Sequence, residues 1–375
     1  MERKSNAISR DFNQRWLNRR LPVTGLFELT PRCTLDCKMC YVHMTPEQMG
    51  ERRELSTEQW LKIVDEAVEA GLLTAALTGG ECMMHPGFWE IYSRLRNSGV
   101  ITSVNTNAFA LTDAQIARFC ELQPSSIRIT LYGASAEDYA RLTGHGEAFA
   151  RVVENIKKLR AAGLRVKLAS TLTKYNASSM WKIYDLARDL GLRLGITAEL
   201  YSPYEETGRE VESASLSREE LLEFLLAYKK HLGREPFRNE PIPELPSRRD
   251  DLPPEFGMRC GSGNNFFFLH WDGTLAPCFN FKGKCKVQDV GFAAAWEAAK
   301  QEAAAYPQPV ECLRCKLLQS CTPCVFLRQN PKDPGHANPE RCRLTLEQYN
   351  RGLTTLDQKA AAADESARLQ LPDEC

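Results

Sequence analysis

The sequence predicts an α/β fold in which a parallel sheet is followed by a smaller cysteine-rich domain. Between residues 25 and 232, patterns typical of strands and of helices alternate six times, which indicates parallel strands joined by crossover helices. Polar side chains follow the predicted strands, where parallel α/β folds gather their chemistry. A proline-rich linker at residues 233–259 then leads into a cysteine-rich domain at residues 260–345. An open, doubly wound sheet and a barrel both fit the alternation.

Each predicted element has its own signal along the chain. Residues 1–24 are polar and basic and are predicted to form an N-terminal arm. Two helices begin at capping boxes, Ser56-Thr-Glu-Gln59 and Ser217-Arg-Glu-Glu220, and Gly71 ends the first of them. Strands are predicted at residues 25–30, 72–78, 100–105, 127–131, 164–171 and 192–200. Helices are predicted at residues 56–70, 86–97, 112–122, 147–162, 177–190 and 217–231.

The composition excludes several classes of protein. The 375 residues include 48 Lys plus Arg and 48 Asp plus Glu, and this balance argues against broad attraction to nucleic acid or to a membrane surface. No apolar run is long enough to span a membrane, and the polar start is not a secretory signal. These features predict a cytoplasmic protein, in which the 14 cysteines are reduced or bound to metal rather than paired as disulfides.

Three cysteines, Cys33, Cys37 and Cys40, follow the first predicted strand with the spacing C-x3-C-x2-C. Three thiolates from one loop can hold an iron–sulfur cube and leave one iron open for a further ligand. A closed Cys3His zinc site, completed by His43, is an alternative for the same residues. Three unrelated, buried thiols are the other alternative.

Met39 before the third cysteine and Tyr41 after it complete a motif that resembles the radical S-adenosylmethionine (radical SAM) enzymes. The resemblance implies a partial (β/α)6 barrel, open on one side, and a four-iron, four-sulfur cluster held by Cys33, Cys37 and Cys40. It implies that the fourth iron binds S-adenosylmethionine, whose reductive cleavage gives a 5′-deoxyadenosyl radical that abstracts hydrogen from a substrate. A flavodoxin- or ferredoxin-type protein would supply the electron.

Gly79-Gly80-Glu81 follows the second predicted strand, where it would free a strand edge and then place a carboxylate. A simple glycine turn is the alternative. Radical SAM enzymes carry a Gly-Gly-Glu motif here that binds the amino group of the cofactor, and proline usually follows where this chain has Cys82. The polar side chains at later strand ends could bind a ribose or a carboxylate, or they could cap turns. Arg141 could pair with the carboxylate of the cofactor, or it could be an exposed charge on a helix. The predicted cofactor contacts are Met39, Tyr41, Gly79, Gly80, Glu81, Asn105, Thr130, Arg141, Ser170 and Thr171.

A second group of cysteines follows the linker. Residues 266–270 and 274–277 flank Asp272-Gly273, which predicts a hairpin between two of these cysteines. Zinc ribbons also use paired C-x2-C and remain an alternative. The cysteines in this second group are Cys260, Cys278, Cys285, Cys312, Cys315, Cys321, Cys324 and Cys342.

The arrangement of this second group resembles the SPASM extension of radical SAM enzymes, although its last spacing is x2 where x3 is usual. The resemblance implies two auxiliary four-iron, four-sulfur clusters, which makes three clusters in the chain. The family pattern assigns the first cluster to Cys260, Cys278 and Cys324, with Cys285 as candidate fourth ligand unless that iron is open to substrate. It assigns the second cluster to Cys312, Cys315, Cys321 and Cys342.

The resemblance covers residues 25–345 and implies an enzyme that modifies a peptide or protein; residues 346–375 are predicted as a tail. The first hypothesis is maturation of a ribosomally made precursor peptide by a crosslink or an oxidation. Because no N-terminal recognition domain is visible, a separate protein is expected to deliver the peptide's leader. A sulfatase-maturing oxidase, or an enzyme acting on a haem precursor or sugar, would use the same chemistry. A non-catalytic iron–sulfur redox or scaffold protein is the alternative from another class.

Overall fold

The computed structural model describes residues 20–198, 200, 207–210, 213–243, 248–249 and 251–357. Most of the predicted N-terminal arm and the end of the predicted tail, with Cys375, lie outside the described residues. The chain forms two compact units. The first contains Met1–Leu194, Leu200–Ala214 and Gly261–Ala303, and the second contains Gly195–Glu199, Ser215–Cys260 and Ala304–Cys375.

A mainly parallel sheet organises the chain. Its strands are β1 (Thr24–Glu28), β2 (Thr74–Thr78), β3 (Ile101–Thr106), β4 (Ser126–Thr130), β5 (Val166–Thr171), β6 (Leu194–Thr197), β8 (Phe266–Leu269), β9 (Thr274–Ala276) and β10 (Cys285–Lys286). Their order is β10-β9-β8-β1-β2-β3-β4-β5-β6, and β1 to β5 pair in parallel. This confirms the predicted α/β fold with six alternations of strand and helix. The remaining strands, β7 (Glu255–Phe256) and β11 (Pro307–Gln308), pair with each other in the second unit.

Helices connect the parallel strands as predicted, with ends shifted by a few residues. In the barrel they are α1 (Pro46–Met49), α2 (Thr57–Glu69), α3 (Phe88–Asn97), α4 (Asp113–Glu121), α5 (Ala136–Thr143), α6 (Ala148–Ala161) and α7 (Met180–Asp189). Later in the chain come α8 (Arg218–His231), α9 (Val287–Val290), α10 (Phe292–Ala304), α11 (Val325–Arg328) and α12 (Pro339–Asn350). Both predicted capping boxes form, at Ser56 and at Ser217.

Helix α5 was not predicted. Its first turn is capped by Ser135, whose side chain accepts a hydrogen bond from the N–H of Asp138, and it ends at Gly144 with a φ of 77°. The helix has only eight residues, and the sequence analysis assigned its segment to the cofactor contacts that follow the fourth strand. A short helix with two good caps was therefore overlooked because its apolar pattern spans barely two turns.

The hairpin of the cysteine-rich segment extends the barrel sheet. Strand β8 pairs in parallel with β1, and the ring of Phe267 lies 5.6 Å from that of Phe27. Gly25 allows this approach, because a Cβ there would lie 2.5 Å from the Phe267 ring. Residues 261–303, which the sequence analysis grouped with the cysteine-rich domain, consequently belong to the first unit.

The second unit combines α8 with the C-terminal segments. The ammonium group of Lys229 is buried against the ring of Phe237, 3.6 Å from its centroid, and the Phe237 N–H donates to the carbonyl of Gly352. Cys312 lies in a short 3-10 turn at Val310–Arg314, and Cys315 and Cys321 directly follow this turn and a second one at Leu318–Ser320. Among the helices of the described residues, none is long and apolar enough to span a bilayer.

Candidate functional site

The carboxyl ends of the first four strands gather polar groups at one edge of the sheet. The cysteine loop follows β1, Glu81 follows β2, Asn107 follows β3 and Tyr132 follows β4. Parallel strands bring these ends together because each crossover helix returns the chain to the opposite edge. The structure thus brings together side chains that are up to about a hundred residues apart in the sequence.

The thiols of the cysteine loop accept hydrogen bonds from N–H groups. The sulfur of Cys33 lies 3.5 Å from both the backbone nitrogen of Leu35 and Nδ2 of Asn107. The sulfur of Cys40 lies 3.3 Å from the backbone nitrogen of His43. Hydrogen bonds from N–H groups to sulfur stabilise the deprotonated thiolate over the thiol, and the thiolate is the form that binds a metal.

Tyr132 completes this set of donors. Its buried hydroxyl donates to the thiol of Cys37 and lowers the pKa of that thiol, although burial has the larger effect and raises it. Burial and the neighbouring thiols raise the pKa of Tyr132 itself, so the phenol keeps its proton and remains a donor. Tyr132 is not among the site residues that were predicted from the sequence.

Arg209 anchors the middle of the cysteine loop. Its guanidinium donates to the carbonyl oxygen of Cys37 and to the carboxylate of Asp36. Burial opposes ionisation of Asp36, but the hydrogen bond and the charge of Arg209 outweigh it and lower the pKa of that carboxyl. Arg209 lies in the long connection after β6, where no periodic pattern marks it, so sequence reasoning had no signal for it.

Apolar side chains cover the end of the cysteine loop. Val42, Met44 and Trp271 form a buried cluster, and Cys40 and Tyr41 pack against it. The Tyr41 ring also lies 6.0 Å from the ring of Phe279 on the hairpin loop. Water is therefore excluded from this side of the thiols, and a dry environment strengthens the electrostatic effect of each nearby dipole.

Glu81 is almost fully buried, with an exposed fraction of 3%. Its carboxylate accepts hydrogen bonds from the hydroxyl of Thr106 at 2.8 Å, the N–H of Asn107 at 2.9 Å and the N–H of Met83 at 3.4 Å. Burial raises the pKa of Glu81, and these three bonds oppose the rise. The side chain is thus locked between the ends of β2 and β3.

The two glycines of the motif are required by close packing of the backbone. A Cβ on Gly79 would lie 2.5 Å from the carbonyl oxygen of Thr30, and one on Gly80 would lie 2.4 Å from that of Arg32. The N–H groups of Gly80 and Glu81 donate to these same two carbonyls, each at 2.8 Å. The motif therefore fastens the cysteine loop to the end of β2. An amine ligand donates hydrogen bonds and therefore needs oxygen acceptors. These two backbone bonds use N–H groups of the motif, so an amine does not compete for those groups.

The other predicted cofactor contacts lie near the same edge, and their roles as contacts remain predictions. Asn105, Thr130 and Thr171 are half-buried at the ends of their strands. The hydroxyl of Ser170 is buried and donates to the carbonyl of Leu131 at 2.7 Å, so here it ties two strands together. Arg141 is exposed and pairs with the buried carboxylate of Asp138 at 2.5 Å.

The three thiols suit an iron–sulfur cluster in chemistry and surroundings. Within the described residues, no three His, Cys, Asp or Glu side chains converge closely enough to hold one metal ion, including the set proposed for zinc. A cube binds each thiolate at a separate iron, so its ligands do not have to meet at one point. Three thiols on one loop, one buried and two half-buried, each with a hydrogen-bond donor, fit such a group.

Loading of this centre should depend on pH. Burial raises the pKa of Cys33 to about 12 and also raises the pKa values of Cys37 and Cys40. Since the ligands must lose their protons, we expect anaerobic cluster loading to increase between about pH 6 and about pH 9, with release of protons. Iron per chain at equilibrium and proton release in weak buffer measure this. Equal loading throughout that range would contradict it.

Four cysteines of the second group lie near one another in the second unit. Cys312, Cys315 and Cys321 each raise the pKa of Cys342, which burial and these neighbours together bring to about 12. The hydroxyl of Thr345 donates to the sulfur of Cys321 at 3.3 Å. These are the four cysteines that the family pattern groups as the second auxiliary cluster. Of the others, Cys260 and Cys324 belong to the second unit and Cys278 and Cys285 to the first, and their ligand set remains a sequence-based prediction.

Comparison with known proteins identifies the barrel. The family model for the radical SAM superfamily matches residues 27–190. The chain is 29% identical over 267 residues to the antilisterial bacteriocin subtilosin biosynthesis protein AlbA of Bacillus subtilis (strain 168), covering 70% of this chain and 56% of AlbA. It is 26% identical over 260 residues to the PqqA peptide cyclase of Ruegeria pomeroyi, covering 68% of this chain and 67% of the cyclase.

Among solved structures, the fold is similar to that of Streptococcus suis SuiB bound to S-adenosylmethionine, with a TM-score of 0.64 and 16% identity. That match covers 86% of this chain and 78% of SuiB. SuiB bound to its precursor peptide SuiA also has a TM-score of 0.64, at 17% identity, with 87% of this chain and 78% of SuiB covered. The match to AlbA spans little more than half of that relative. The cysteine loop and the buried glutamate both lie in residues 27–190, the segment that matches the radical SAM superfamily.

Proposed function

We propose that this chain is an enzyme that uses S-adenosylmethionine to start a radical modification of a ribosomally made peptide. The observation that carries the proposal is the group of three thiols in the cysteine loop, one buried and two half-buried, beside the buried carboxylate of Glu81 at the sheet edge. A structural zinc site would not need an enclosed carboxylate that is held by the end of a neighbouring strand. The match of residues 27–190 to the radical SAM superfamily supports the same chemistry.

The chain's own residues would hold and tune the reacting groups. Cys33, Cys37 and Cys40 would hold a four-iron, four-sulfur cluster, while Asn107 and Tyr132 donate to its ligands. When bound, the cluster and S-adenosylmethionine supply a 5′-deoxyadenosyl radical. The donors and the apolar cover beside Cys40 and Tyr41 would adjust the cluster's potential, which depends on hydrogen bonds and exposure.

Anaerobic reconstitution tests the proposal directly. The full chain is loaded with iron and sulfide, reduced with dithionite and mixed with S-adenosylmethionine, and 5′-deoxyadenosine and methionine are quantified. We expect one 5′-deoxyadenosine for each methionine. A colourless, zinc-loaded protein, or an iron-loaded protein that forms no 5′-deoxyadenosine, would contradict enzymatic function and favour a scaffold.

A precursor peptide is the proposed substrate because the names of several relatives refer to peptides that they modify or bind. AlbA is named for the biosynthesis of a bacteriocin, the cyclase of Ruegeria pomeroyi for the PqqA peptide, and SuiB has been solved with its precursor peptide. Short reading frames encoded beside this chain should be co-expressed with it under anaerobic conditions. The expected product is a peptide lighter by about two hydrogens per crosslink or oxidation, which mass spectrometry detects.

We propose two auxiliary clusters in addition to the first. The effects that Cys312, Cys315, Cys321 and Cys342 have on one another's pKa values support the C-terminal cluster.

A flavodoxin- or ferredoxin-type protein is the proposed electron donor. A separate protein is proposed to present the leader of the peptide, and the cytoplasm is the proposed location. Oxygen sensitivity of reduced clusters makes an anaerobic setting suitable for each test.

Cys285 is the proposed fourth ligand of the other auxiliary cluster. It opens β10 and pairs with Leu275 of β9, the strand that leads to Cys278. If Cys285 is a ligand, Cys285→Ala should change the electron paramagnetic resonance spectrum of the reduced cluster, because the ligand field at one iron changes. The exposed Cys120→Ala serves as the control for loss of a thiol. A spectrum identical to that of the parent protein would make Cys285 a bystander.

A further inference from the structure

Glu54 lies in the connection between α1 and α2, outside the motifs of the cysteine loop and of the strand ends. Its side chain is 16% exposed, and its two carboxylate oxygens accept three hydrogen bonds. The donors are the hydroxyl of Thr30 at 2.8 Å, Nε of Arg32 at 2.7 Å and Nη2 of Arg32 at 2.8 Å. A bidentate pair of guanidinium and carboxylate fixes both partners in orientation as well as in distance.

The two residues that Glu54 holds come directly before the first cysteine of the loop. Their carbonyl oxygens are the ones that accept hydrogen bonds from the N–H groups of Gly80 and Glu81, each at 2.8 Å. The hydroxyl of Thr30 also accepts a bond from the backbone N–H of Arg32 at 3.1 Å. The side chains of this short segment are therefore fixed by Glu54, while its backbone is fixed by the Gly-Gly-Glu motif.

The backbone next to Glu54 is itself held in place. The N–H of Leu55 donates to the carbonyl of Trp271 at 3.1 Å, and the carbonyl of Leu55 lies 2.9 Å from Nε2 of the buried His85. Exposed ion pairs contribute little to stability, but Thr30 is fully buried, so its hydroxyl would lose its acceptor without this carboxylate. Glu54 is thus a fixed support for the start of the cysteine loop rather than a mobile surface charge.

We propose that Glu54 is a positioning residue that holds the cysteine loop at a fixed distance from Glu81. This rests on the proposed function, in which S-adenosylmethionine binds both the cluster held by that loop and the carboxylate of Glu81. A ligand that must meet two groups at once binds less well when the groups shift apart, and a displacement of about 1 Å can lower a rate about a hundredfold. Glu54 acts only through Thr30 and Arg32 and contacts no reacting atom.

Hydrogen exchange in the full chain, before a cluster is loaded, tests the first step of this inference. Glu54→Ala removes all three contacts, so we expect the amide N–H groups of Gly80 and Glu81 to exchange about tenfold faster, because the carbonyls that they bind are no longer held. Glu54→Gln keeps an oxygen for the Thr30 hydroxyl and should give a smaller increase. Peptides from β5 serve as the internal reference. Exchange at Gly80 and Glu81 equal to that of the parent in both variants would overturn the inference.

Cofactor binding by the anaerobically reconstituted chain tests the second step. We expect Glu54→Ala to keep the iron content of the parent and to raise the Kd for S-adenosylmethionine about tenfold. Adding Arg32→Gln to this variant should change the Kd little further, because both residues act through one contact. Glu51→Gln is the matched control and should leave the Kd unchanged, since Glu51 is an exposed carboxylate on the same connection.

Two further results would contradict the positioning role of Glu54. One is a Kd for S-adenosylmethionine in Glu54→Ala equal to that of the parent, and the other is loss of iron from both Glu54 variants, which would mean that the residue serves cluster assembly instead. A parent chain that binds no S-adenosylmethionine would contradict the proposed function. The exchange measurement needs neither cluster nor cofactor, so the two failures can be told apart.

Discussion

Replacing Cys33, Cys37 and Cys40 with alanine should abolish cleavage of S-adenosylmethionine while leaving roughly eight irons per chain in two auxiliary clusters. The three thiols lie in the cysteine loop of the first unit, whereas the group that ends with Cys342 lies in the second. Each set has its own hydrogen-bond donors, so loss of one cluster should not remove the others. Iron and sulfide analysis, with 5′-deoxyadenosine as the product, measures both parts of the expectation.

A triple variant could also lose activity through unfolding, so it needs a control. Circular dichroism should give the same helix content as the parent, and the exposed Cys120→Ala should keep both iron and activity. Complete loss of iron in the triple variant would mean that the clusters do not assemble independently. Retained cleavage of S-adenosylmethionine would remove the cysteine loop from the mechanism.

Replacing Glu81 with alanine should destabilise the chain and abolish binding of S-adenosylmethionine. The change leaves the donors of Thr106, Asn107 and Met83 without their acceptor, at a cost of about 1–3 kcal/mol for each donor that stays buried and unpaired. Thermal unfolding measures the stability, and equilibrium dialysis measures cofactor binding. Glu81→Gln keeps the shape of the side chain and should be less destabilising than Glu81→Ala. Its amide NH2 group would face the N–H and O–H donors that now bind the carboxylate, so this variant should still bind S-adenosylmethionine more weakly than the parent.

Thr106→Val separates the structural role of Glu81 from its proposed role toward the cofactor. It removes the hydrogen bond to the carboxylate and the one that the Thr106 hydroxyl accepts from the N–H of Ala108, which together should cost about 2 kcal/mol of stability, and it keeps the carboxylate itself. We expect this variant to bind S-adenosylmethionine with an affinity within a few-fold of the parent's. Binding by Glu81→Ala as tight as that of the parent would exclude the carboxylate from the cofactor site.

Periodicity and capping signals were sufficient to predict most of the barrel. The apolar residues of α2 share one face and are buried, and its start at Ser56 follows from the capping box. The same signals missed α5, because eight residues contain too little periodic pattern. They also assigned the hairpin to the cysteine-rich domain, since the pairing of β8 with β1 joins residues about 240 apart, and such long-range pairing leaves no local pattern.

The candidate site was only partly predictable. Strand-end positions correctly placed Glu81 near the cysteine loop, because the ends of parallel strands meet at one edge. The donors Asn107 and Tyr132 were passed over in favour of Asn105 and Thr130, since the sequence does not reveal which side chain of a strand end turns toward the thiols.

The sequence by itself determined the alternation of strands and helices, the three-cysteine motif and the second group of cysteines, because each of these is a local pattern. Only the tertiary structure decided which donors reach the thiols, why Gly79 and Gly80 must lack side chains, and that Glu81 is buried. Spacing along a chain fixes which residues can share a face. Distances between residues far apart in sequence depend on how the faces pack, and the packing exists only in the folded molecule.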